Sequence, residues 1–246
     1  MTPQFLTGLL YWLILLLSLT GCAKTITFTD VPYENPLADY RYSCQSIDSL
    51  TVAAALPALE AQFGDQLEAT AYRDKMLAAL SFYPNLRGVD IRLIRKRLRT
   101  SMAARPLGLG KRRSRRTYAV YVDDVSDKPA DFRNASYSAQ VGCFIHEFGH
   151  ISYYVSRSNT QLASDGLAYV TSQRFKNKYE RIADRLAIQH GGGYYVYQYR
   201  SFTFEEAELP EAYLAFKRRN YTDQKKLLVR HIAYLRENSV EKCVDY

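Results

Sequence analysis

The segment Cys143-Phe144-Ile145-His146-Glu147-Phe148-Gly149-His150 constrains this chain more than any other. Residues four apart lie on one face of an α-helix, one turn above the other, so His146 and His150 can hold a single metal ion between them. Imidazole nitrogen suits Zn²⁺, which in a catalytic site takes three protein ligands and a water. Glu147 follows the first ligand directly. Its carboxylate then sits beside that water, placed to take a proton as the water attacks a carbonyl. The whole chain contains 4 His, so half of them are committed here. Val141, Ile145, Phe148, Ile151 or Ser152, and Val155 recur at helical spacing. This predicts a helix over residues 139–156 with one face in a core and the adjoining face on the metal.

A second carrier of chemistry lies at residues 179–187. Tyr179, Ile182, Ala183 and Leu186 again have helical spacing, and Glu180 and Asp184, four apart, share a face. Two His ligands need a third partner, which Glu180 would supply. Asp184, one turn on, would accept the N–H of a ligating His and fix its tautomer. Alone, the same pair reads as a surface ion-pair helix with Arg181 and Arg185. Asp165, beside Gly166, and Cys143 are minor competitors as ligands.

Taken together, the two motifs resemble the gluzincin group of zinc metallopeptidases, in which a His-Glu-x-x-His helix is followed by a helix bearing Glu-x-x-x-Asp. The resemblance implies one Zn²⁺ per chain held by His146, His150 and Glu180, with Glu147 as general base and Asp184 behind the ligands. It also implies an α+β, zincin-like fold, mostly helical with a small β-sheet, whose active-site helix precedes the Glu-bearing helix. Metzincins would need Gly where Tyr153 stands and His where Ser156 stands. Gluzincins often stabilise the oxyanion with a downstream His or Tyr. His190, His231 and the run Tyr194, Tyr195, Tyr197 and Tyr199 are candidates, and no spacing selects among them.

The N-terminal 20 residues carry no Lys or Arg, and residues 5–19 are almost unbroken apolar side chains. That run is short for a spanning helix, which needs about 20 apolar residues, and fits the apolar core of a secretory signal. Leu19-Thr20-Gly21-Cys22 resembles the bacterial lipobox, which implies cleavage before Cys22 and lipidation of that residue. The resulting plan is a signal peptide over residues 1–21, a tether over 22–43 and a single catalytic domain over 44–246. Ala23 after the Cys, by resemblance to enterobacterial lipoproteins, implies the outer membrane, facing the periplasm. Export implies an oxidising compartment where disulfides persist. Cys44, Cys143 and Cys243 then allow three single bridges. Cys44 with Cys243 is the pairing expected, which leaves Cys143 a buried free thiol.

The formal net charge of +8 favours anionic surfaces as partners and, in an exported lipoprotein, does not point to nucleic acid. Lys111, Arg112, Arg113, Arg115 and Arg116 form an exposed loop suited to an anionic surface, or only a solvated charge cluster. That loop is expected between strands at 89–93, continuing to 99, and at 118–123. Helices are expected at 47–63, 68–82, 205–217 and 222–238, and a loop at 159–170. The expected activity is hydrolysis of peptide bonds in a protein or peptide substrate by metal-activated water. The alternatives are hydrolysis of a cell-wall peptide amide, or a catalytically silent, zinc-stabilised envelope binding or assembly lipoprotein.

Overall fold

The computed structural model describes residues 34–108, 110–125 and 131–238. The expected signal peptide, Cys22 and Cys243 lie outside them. The architecture is mixed α+β: eight α-helices around a three-stranded sheet among the described residues.

The central element is α3 (Tyr137–Val155), started by Ser136, whose side chain accepts from the Ala139 backbone N–H. The first helix, α1 (Ser49–Phe63), and the second, α2 (Arg73–Leu80), precede it and supply Leu59, Phe63, Met76, Leu77 and Leu80 to the core. On α3, apolar side chains occur on nearly every side, so the helix is buried almost throughout its length. Phe144 and Phe148 are fully buried, each contributing about 1.5–3 kcal/mol of burial. Tyr83 fixes the depth of the helix by donating its hydroxyl to the Ile145 carbonyl at 2.8 Å.

The sheet order is β1–β3–β2, built from β1 (Ile91–Arg95), β2 (Met102–Leu107) and β3 (Thr117–Val122). β1 runs parallel to β3, with Ile91 opposite Tyr118, and β2 runs antiparallel, with Met102 opposite Val122. β3 is the central strand and is buried on both faces at Tyr118, Ala119 and Val120. β2 is an additional strand, in a stretch for which the sequence predicts no element. Pro106 within it has no N–H to donate, which suits an edge strand.

After α3, residues 159–170 form α4 (Asn159–Thr171), not the expected loop. A capping box starts it: the Ser158 side chain accepts from the Gln161 N–H, and the Gln161 side chain returns to the Ser158 N–H. α5 (Gln173–Gln189) has an inward face of Tyr179, Glu180, Ala183, Asp184, Ala187 and Ile188, while Arg181 and Arg185 point to solvent. The surface ion-pair reading is therefore corrected, because both carboxylates face inward. The aromatic run folds as α6 (Gly193–Ser201), and α7 (Glu211–Asn220) and α8 (Gln224–Glu237) complete the domain.

Two glycines set the helix spacing. A Cβ on Gly142 would lie 1.9 Å from the Tyr195 carbonyl oxygen of α6, and one on Gly149 would lie 2.8 Å from the Ala183 carbonyl oxygen of α5. Only Gly permits either approach.

The described part of the stretch read as a tether, from residue 34, is packed. Leu37 is 1% exposed, Arg41 Nε donates to the His190 carbonyl at 2.8 Å, and the Tyr42 N–H donates to the Gly191 carbonyl at 3.0 Å. Among the described residues no helix is long and apolar enough to cross a membrane.

Candidate metal centre

α3 brings His146, Glu147 and His150 to the inner face of α5, opposite Glu180 and Asp184. The Gly149–Ala183 approach holds the two helices close enough for their short side chains to meet. Glu180 Oε2 lies 3.3 Å from His146 Nε2 and 3.2 Å from His150 Nε2. Potential ligand atoms of His146, His150 and Glu180 all fall within 4.8 Å of one another, and all three residues are buried.

Two imidazole nitrogens aimed at one buried carboxylate oxygen require a cation or protons between them. His146 Nδ1 donates to Asp184 Oδ1 at 2.9 Å, which turns the Nε2 lone pair toward Glu180. Asp184 is itself held twice more. Arg200 donates to Oδ1 at 3.2 Å, and the Thr222 N–H donates to Oδ2 at 3.2 Å. The second oxygen of Glu180 accepts the Tyr169 hydroxyl at 3.2 Å. Tyr179 stacks on the His150 ring at 4.3 Å and Tyr221 packs near His146 at 5.8 Å, walling both imidazoles with apolar surface.

The electrostatics follow from this closeness. Burial alone would depress the His146 imidazole, but its hydrogen bonds to Asp184 and Glu180 outweigh burial and raise it to about 9. Burial alone would raise both carboxyls. Glu180 is instead held well below the usual range by His150 and His146, and Asp184 by Arg200 and His146. Asp184 is matched by the Arg200 guanidinium. Among the described residues neither Glu147 nor Glu180 has a Lys or Arg ion pair, and Glu147 Oε2 and His150 Nδ1 have no hydrogen-bond partner. Two carboxylates without a Lys or Arg partner beside two convergent Nε2 atoms form a donor set suited to a divalent cation.

A cavity of about 510 Å³ opens over this group. Glu147, His150 and Glu180 line it at one end, β2 runs along one wall, and α4 covers another through Leu162, Asp165 and Tyr169.

The structure brings together five sequence-predicted residues: His146, Glu147, His150, Glu180 and Asp184. It places the two histidine oxyanion candidates elsewhere. His190 packs against the Tyr83 ring at 4.6 Å, and His231 is fully buried with Nε2 against the Ser43 carbonyl at 3.1 Å. Neither lines the cavity, because each belongs to the packing of the N-terminal segment on α5, α6 and α8. The run Tyr194, Tyr195, Tyr197 and Tyr199 likewise does not reach it, whereas Tyr154, Tyr169, Tyr179 and Tyr221 do. Asp165 is on α4 and accepts the Tyr153 hydroxyl at 2.9 Å, outside the ligand group. Cys143 is a buried free thiol, pushed up to about 12 by burial, and is not a ligand either. Cys44 is disulfide-bonded, and its expected partner lies outside the described residues.

In the basic cluster, Arg113 donates to the Val155 carbonyl and Arg116 to the Arg157 carbonyl at 2.7 Å, serving the C-terminal end of α3. Lys111, Arg112 and Arg115 remain exposed. Sequence reasoning missed Arg200 and Tyr169, since nothing local to either residue marks it. Comparison with family models, curated proteins and solved structures found no match.

Proposed function

We propose that this chain is a zinc-dependent metallopeptidase of the gluzincin kind, with a zincin-like fold, working in the bacterial cell envelope on a lipid anchor at Cys22. One observation carries the reading. Glu180 Oε2 stands 3.3 and 3.2 Å from the two Nε2 atoms, the roughly 3.3 Å expected between ligands that each lie about 2.0–2.1 Å from one tetrahedral ion. His146, His150 and Glu180 would hold the zinc, whose chemistry there is to acidify a water to a pKa of about 7 and to polarise a carbonyl.

The chain's own residues supply the rest. Glu147 takes the proton of the attacking water and delivers it to the leaving amine. Its Oε2 faces no competing donor among the described residues. Asp184 holds His146 in the tautomer that leaves Nε2 free, and Arg200 keeps Asp184 ionised behind it. Tyr169 anchors the second oxygen of Glu180. The substrate occupies the cavity along β2, in a site partly closed from water by α4.

The test is to count zinc in purified protein and compare wild type with Glu147→Gln on an unstructured protein substrate and on envelope extract. One zinc per chain in both forms, with cleavage reduced about 10²–10⁴-fold in the variant, is expected. Folded protein without zinc overturns the reading. So does equal cleavage by the two forms. Zinc with no cleavage by either form points to the binding or assembly alternative.

A further inference from the structure

Three cations line the same cavity: Arg99 just before β2 and Arg105 on β2, and Lys176 on α5. Elsewhere in the fold several cations are matched by acids. Arg73 pairs with Glu60, Arg95 with Asp124, Arg133 with Asp131 and Arg200 with Asp184. The three at the cavity have no carboxylate partner among the described residues. Each leans on an aromatic ring instead. The Arg99 guanidinium stands 5.7 Å from the Phe216 ring, that of Arg105 5.9 Å from Tyr121, and the Lys176 ammonium 5.0 Å from Tyr169. Such perches position a cation without neutralising it.

The acidic groups of the cavity do not offset them. Glu147 and Glu180 belong to the metal centre. Asp165 is already engaged by the Tyr153 hydroxyl at 2.9 Å and by Arg157 at 3.7 Å. With a divalent cation offsetting Glu147 and Glu180 and Arg157 offsetting Asp165, the three cations leave the cavity net positive, and a walled cavity concentrates that field on whatever enters.

We propose that these three residues select an acidic peptide segment, with Asp or Glu side chains flanking the bond to be cut. Arg99 and Arg105 receive carboxylates along β2, and Lys176 receives one from the opposite wall. This rests on the peptidase reading for the cutting and on the charge arrangement alone for the binding. Cations on two sides of a cleft suit a chain that threads between them. A flat anionic surface would reach only part of the set.

The experiment measures binding and cleavage separately, using the full chain. Three fluorescent peptides of one length share a central Ala-Leu and carry Asp/Glu, Ser or Lys on both sides. Binding is read by anisotropy on zinc-loaded Glu147→Gln, and cleavage on the wild type. The acidic peptide is expected to bind about ten-fold tighter than the Ser peptide at low salt, the Lys peptide more weakly still, with the preference shrinking as salt rises. Combined Arg99→Ala, Arg105→Ala and Lys176→Ala should abolish the preference, and Arg99→Glu with Arg105→Glu should invert it, with melting temperature and zinc content unchanged. Acidic selectivity in binding without cleavage of any peptide would uphold this inference and sink the peptidase reading. Cleavage of all three peptides at equal rates and equal binding would do the reverse. Selectivity that survives the triple variant would overturn the assignment, as would anionic vesicles binding through these residues with no discrimination among peptides.

Discussion

Arg200 and His146 donate to the same oxygen, Oδ1 of Asp184, at 3.2 and 2.9 Å. A fully buried guanidinium is thus two steps from a candidate metal ligand, with a single carboxylate between them. Both charges are buried, at 1% and 2% exposure for Arg200 and Asp184, so neither tolerates loss of the other.

Arg200→Met is expected to destabilise the domain by about 3–5 kcal/mol, since it leaves Asp184 buried and unmatched. It should also weaken metal binding roughly 10–100-fold, because Asp184 then holds His146 less firmly. Urea unfolding and chelator competition measure the two effects. Adding Asp184→Asn to Arg200→Met should recover much of the stability but not the metal affinity. Recovery of both would make the pair a packing feature only.

Glu180→Ala should lower zinc occupancy sharply, as it removes one of the three proposed ligands and leaves only the two Nε2 atoms. Elemental analysis after dialysis against a weak chelator reads this directly. Full occupancy in the variant would remove Glu180 from the site.

Gly149 and Gly166 should respond oppositely to alanine. At Gly149 the new methyl meets the Ala183 backbone at 2.8 Å, so α3 and α5 must separate. That costs about 1–3 kcal/mol and draws His150 away from Glu180. At Gly166 a Cβ meets nothing within 4 Å, and Ala in the middle of α4 should stabilise by about 0.5–1 kcal/mol. Thermal melts and metal titrations of the two variants give the comparison.

The candidate metal centre was legible because its residues obey the helical four-residue spacing twice, and that spacing survives into the fold unchanged. Its supports were not legible in the same way. Arg200 and Tyr169 reach the site through tertiary contacts, across 16 residues to Asp184 and 11 to Glu180, and no local pattern announces such pairs. β2 was missed because Met102-Ala-Ala-Arg-Pro-Leu107 lacks β-branched residues and contains Pro106, as an edge strand can. α4 was missed because Gly166 read as a breaker. The Ser158-x-x-Gln161 capping box was the signal that pointed the other way. His190 and His231 were oxyanion candidates only because gluzincins often use a downstream His, and both are packing groups.

Those two histidines make the fold sensitive to acid. Burial lowers His190 from 6.5 to about 4, aided by the nearby Arg41 charge, and burial also lowers His231. Between about pH 6.5 and pH 4 the unfolded chain binds protons that the folded chain refuses. Stability is therefore complete above that window and falls as pH drops through it, by on the order of 2 kcal/mol for partly exposed His190. Urea midpoints from pH 7.5 to 4.5 should fall less steeply in His190→Gln than in wild type, and less steeply again with His231→Gln added. Acid release of a metal affects all three proteins alike and cancels in the difference. Parallel pH slopes would show that these imidazoles accept protons without unfolding the domain.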